Sequence, residues 1–169
     1  MTIFERPDPS LPVDERTMLD SWLDHHRATL AAKCSGLDDE QLRRAAVAPS
    51  GLTLLGLLRH LAEVERWWYA IVLAGEPDVS VWLTDDDQDR DFHVTEHDTG
   101  AEAFAVWETE VARSREIAAR YSLDDVSVGT RQTGEHVTFR WIHTHMLEEY
   151  ARHNGHADLL REAVDGARG

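Results

Sequence analysis

The chain has 169 residues, a length that suits one domain of ordinary size. A formal net charge of -15 argues against a nucleic-acid surface and against adsorption to anionic membrane, since both need clustered Lys and Arg. Hydrophobic residues make up 42%, enough for a full core, yet no stretch approaches the roughly 18 uninterrupted apolar residues of a membrane span.

Residues 1–13 carry Pro7, Pro9 and Pro12 and read as an extended lead-in. They lack the basic start and apolar run of a signal peptide, so the expected location is cytoplasmic. Residues 14–169 read as a single domain. Helical spacing begins after Asp14, with Met18, Leu19, Trp22, Leu23, His26 and Leu30 on one stripe, and should stop near Cys34–Gly36. Cys34 is the single cysteine, which excludes an internal disulfide and fits a reducing compartment. It reads as a small buried residue rather than a nucleophile. A short helical turn and loop follow, closed by Pro49, Ser50 and Gly51, with Ser50 or Thr53 as the next cap.

The second long helix is "LTLLGLLRHLAEVERWWYAIVLAGE", broken at Gly75 to Pro77. The acidic stretch from Pro77 to Gly100 is weakly patterned. It is expected as a solvated crossover, with a functional lid or rim as the alternative. A third helix is expected over 99–121, on Ala103, Phe104, Trp107, Val111 and Ile117. A loop with a short hairpin around Gly129 leads to a fourth helix over 137–164. The sum is an all-α fold, a four-helix bundle with long connections between helices 2 and 3 and between helices 3 and 4.

Polar residues inside apolar stripes carry the functional signal. At roughly 100° per residue, Phe139, Ile142, Met146 and Leu160 define the buried arc of the fourth helix. Glu149 and His153 fall in the middle of that arc, one turn apart, while Glu148 falls off it. A buried carboxylate must neutralise, pair or bind a cation. The i, i+4 spacing lets Glu149 and His153 reach one ion. On the second helix His60 lies within the apolar half set by Leu57 and Val64, with Trp68 and Ile71 on the same stripe and Arg59 and Arg66 opposite. Two histidines and a carboxylate are the ligand set of many catalytic zinc sites, which keep a fourth position open. The set also suits Ni, Mn or Fe. A hydrogen-bonded polar network without an ion is the alternative. His156 and His145, one turn to either side, are candidates for a fourth ligand or for a donor that orients a ligand. His25, His93, His97 and His136 carry no such signal. Trp67, Trp68, Trp107 and Trp141 read as core, with one or two walling a substrate pocket. Tyr150 and Arg152 are close to the site by spacing, with packing or surface roles as the alternatives.

"GLTLLGLLRHLAEVERWW", "HMLEEYARHNGHADLLREAVDG" and "KCSGLDDEQLRR" together resemble the DinB-like four-helix bundle superfamily. That group includes mycothiol-dependent maleylpyruvate isomerases and bacillithiol and mycothiol S-transferases. The resemblance implies a divalent metal, zinc or nickel, held by His60, Glu149 and His153. Many relatives carry His where this chain has Glu149. It also implies that a low-molecular-weight thiol meets the metal and attacks an electrophile, so the expected partners are a small-molecule thiol and an electrophile. The Ala- and Arg-rich composition is that of a GC-rich genome, the setting in which mycothiol would be the thiol. A homodimer is a candidate assembly. Two other functions share the same site: a metallohydrolase using metal-activated water, with His156 or His145 as base, and a non-catalytic metal-binding stress protein.

Overall fold

Each long helix starts where a short polar side chain can take an otherwise unpaired backbone N–H. Asp14 accepts from the Thr17 backbone N–H and opens α1, Glu15–Cys34. Asp38 and Gln41 form a reciprocal capping box around α2, Asp39–Leu42. Thr53 caps α3, Leu54–Glu65, which runs without a break into a π-helical stretch, Arg66–Leu73. Thr99 caps α4, Gly100–Ala118, and Thr138 caps α5, Phe139–Asp165. This computed structural model describes residues 6, 8, 9, 11 and 14–168. Most of the lead-in expected over 1–13 lies outside them. No helix of the described residues is long and apolar enough to cross a membrane.

The fold is an all-α bundle. α1 packs on α5 and α3 on α4, and α3 also meets α5 and α1. Among the described residues there is no strand; the hairpin expected around Gly129 reduces to a single bridge between Val126 and Thr138.

Several faces differ from the helical spacing. Trp22 is 42% exposed, because α1 turns the guanidinium of Arg27 into the core instead. The π stretch adds a residue to the turn and shifts the face that follows. Tyr69 is thereby buried, while Trp67, Trp68 and Ile71 are only partly covered and line a pocket. Trp141, expected in the core, is exposed and stacks on His145. Arg59, expected on the outer face, is buried under the 77–99 connection. There it pairs with Asp98, donates to the Arg90 carbonyl and lies over the Trp82 ring.

At the centre of the bundle is a polar network. Glu65 is fully buried, and Arg27 donates to both of its oxygens at 2.8 Å. The Tyr150 hydroxyl donates to the same carboxylate at 2.8 Å, and Trp107 Nε1 donates to the Tyr150 oxygen at 2.9 Å. These four residues come from α1, α3, α5 and α4, so one carboxylate ties all four long helices. Because removing one partner strands a buried charge, Glu65→Leu should cost about 3–5 kcal/mol in urea denaturation. Arg27→Met combined with Glu65→Leu should recover most of that loss.

Candidate metal centre

Three of the sequence-selected residues converge. One donor atom each from His60, Glu149 and His153 lies within 4.8 Å of the others. α5 turns Glu149 and His153 inward with Ile142 and Met146, as its spacing requires, and His153 is 6% exposed. Glu148 faces outward. The His60 and His153 rings are 4.7 Å apart between centroids, and His153 Nε2 is 3.4 Å from Glu149 Oε2. The bond with His153, reinforced by the nearby His145 and His60, holds the Glu149 carboxyl below its usual range despite partial burial. An ionised carboxylate beside two imidazoles is a donor set for a divalent cation.

The two candidates for a further ligand sit differently. His156 Nδ1 is 3.4 Å from His153 Nδ1, on the ring nitrogen turned away from Glu149. Burial, together with His153, lowers its basicity. His145 Nε2 is 3.3 Å from Glu149 Oε1, the oxygen opposite the one that meets His153. Tyr150 is part of the core network and Arg152 is exposed.

The connection over 77–99 is a wall of the site, not a solvated crossover. Glu63 is buried, and its Oε1 accepts from the backbone N–H groups of Val81 and Trp82. Phe92 stacks on His60 at 4.5 Å between centroids. Asp91 is 3% exposed, and its Oδ2 lies 2.8 Å from His60 Nδ1. A proton on Nδ1 shared with this carboxylate leaves Nε2 of His60 with a free lone pair, the usual support for a metal-binding histidine. Periodicity could not find Asp91, because it is one of many acidic residues in a segment without a helical or strand repeat. A pocket of about 310 Å³ opens beside His60, with Trp67, Trp68 and Ile71 as its apolar wall.

Cys34 is buried, and burial pushes its thiol up to about 12, so it offers no thiolate near neutral pH.

A family model described as mycothiol-S-transferase matches residues 18–166. No curated protein matches the chain.

If Asp91 orients His60 as a ligand, Asp91→Asn should weaken zinc binding by about 10- to 100-fold in a competition titration. Glu148→Ala, on the outward face, should leave the affinity within about twofold.

Proposed function

Since the chain belongs to the mycothiol-S-transferase family, within the DinB-like superfamily, we propose that it is a divalent-metal-dependent thiol S-transferase. Its ligands are His60, Glu149 and His153, its ion is zinc or nickel, and its thiol is mycothiol. The observation that carries this reading is the convergence of these three donors, of which His60 lines one pocket and Glu149 a second. Asp91 supports it by engaging one nitrogen of His60 and leaving the other available.

A bound divalent cation would supply the positive charge that favours thiolate over thiol near neutral pH. The residues of the chain do the rest. Asp91 fixes the tautomer and orientation of His60. Glu149 and His153 are held one turn apart on α5, so the donor set needs little rearrangement. Trp67 and Trp68 cover the pocket with aromatic surface that excludes water from the sulfur. The thiol sulfur forms a C–S bond with the electrophilic carbon. The displaced electron pair leaves with a departing group or moves onto the acceptor, and the thiol proton passes to solvent. The nucleophile comes from the cosubstrate, because the chain's own thiol is buried and protonated.

Electrophile consumption should therefore require both mycothiol and metal. His153→Ala should lower the thiol-dependent rate by at least about 100-fold, in line with the several kcal/mol a catalytic metal supplies. Turnover that proceeds at full rate without thiol would point instead to a metal-activated water.

A further inference from the structure

Two pockets meet at the proposed metal centre. The one beside His60 is lined by Glu63, Asp78, Asp89 and Asp91, and among the described residues no Lys or Arg lines it. The second, of about 230 Å³, touches His145 and Glu149 and is closed by Arg131, Gln132 and Thr133. Trp67, Trp68 and Gln132 line both, so the two indoles and the amide form a partition between an acidic side and a side on which Arg131 faces Glu149 and His145 across the pocket lining.

Arg131 is held in place. The backbone N–H groups of Val128 and Gly129 donate to the carbonyls of Leu73 and Val72, at 3.0 and 2.9 Å. A Cβ on Gly129 would collide with the carbonyl oxygens of Ile71 and Val72, so only glycine lets the connection approach this closely. His136 Nδ1 donates to the Ser127 and Gly129 carbonyls and braces the returning arm. The guanidinium of Arg131 then lies 4.8 Å above the Trp141 ring, and Trp141 stacks on His145. The Thr133 hydroxyl donates to the exposed Glu135 carboxylate and, with the backbone N–H of Glu135 and to a lesser degree the charge of Arg131, holds that carboxyl below its usual range. In a protein of net charge -15, a guanidinium that lines this pocket and, among the described residues, is engaged by stacking rather than by an ion pair is placed for an incoming anion.

We propose that the pocket closed by Arg131 is the electrophile subsite and that Arg131 selects electrophiles bearing a carboxylate. The acidic pocket on the other side of the indoles would repel such a group, which leaves that side to the thiol. The assignment of the two sides to electrophile and thiol rests on the thiol-transfer reading; the anion preference of Arg131 does not.

Zinc-loaded protein without thiol is titrated with 3,5-dinitrobenzoate and with the uncharged 3,5-dinitrobenzamide, following quenching of tryptophan fluorescence. The carboxylate should bind at least about tenfold more tightly, a difference of about 1.4 kcal/mol. Arg131→Gln should reduce that preference below about threefold, and Arg131→Lys should keep part of it. Arg120→Gln, which removes an exposed charge elsewhere, should keep all of it. Equal binding of the two probes, or a preference that survives in Arg131→Gln, overturns the proposal. A second arm supplies mycothiol with 4-chloro-3,5-dinitrobenzoate or its amide. The C–S bond forms at the chlorinated carbon, chloride leaves with the bonding pair, and the thiol proton goes to solvent. Turnover favouring the carboxylate supports the subsite, and equal turnover of the two contradicts it. No turnover of either contradicts the thiol-transfer reading and the electrophile assignment with it, while the binding arm still decides the role of Arg131.

Discussion

The fold depends on one buried carboxylate. Glu65 stands at the last turn of α3, where the π stretch begins, and receives Arg27 from α1 and Tyr150 from α5. An ionised group in a core is tolerable only with its charge and lone pairs met, which makes the geometry strict. Tyr150 follows Glu149 directly. The bond that fixes Tyr150 therefore also fixes the rotation of α5 that faces Glu149 and His153 towards His60, five residues before Glu65. The stabilising network and the candidate site are two sides of the same helix pair.

The rest of the site is built by turning connections into walls. Glu63 accepts backbone N–H groups from the 77–99 connection, and Arg59 holds its far end through Asp98. These bonds deliver Asp91 and Phe92 to His60. The π stretch turns Trp67 and Trp68 out of the core and offers backbone carbonyls to the Gly129 segment, which delivers Arg131. Such π segments frequently mark functional sites, and here the altered register is what separates Tyr69, bonded to the buried His143, from the indoles that line the pockets.

The helical framework was legible because its signals are local. Thr53 reads as a cap and is one, the helix starts expected after Asp14 and near 99 and 137 fall within two residues of the observed caps, and apolar spacing gives the face of α4 and, Trp141 apart, that of α5. The grouping of His60, Glu149 and His153 was legible for the same reason, since polar residues within an apolar stripe stand out. The departures come from long-range pairing. Arg59 reads as outward by phase and is buried because Asp98 and Trp82 reach over it. Trp22 reads as core and is displaced outward because Arg27 has Glu65 to meet. Asp91 and Arg131 lie in connections without a repeat, where only the tertiary fold says which side chain turns towards the site.

The most direct test is elemental analysis of the purified, tag-free protein after incubation with zinc and removal of excess, beside the His60→Ala variant. One divalent ion per chain, lost in the variant, is the result this account predicts. No bound metal in either protein, with the fold intact, would reduce Glu149 and His153 to a buried polar pair and contradict the metal centre on which the proposed chemistry stands.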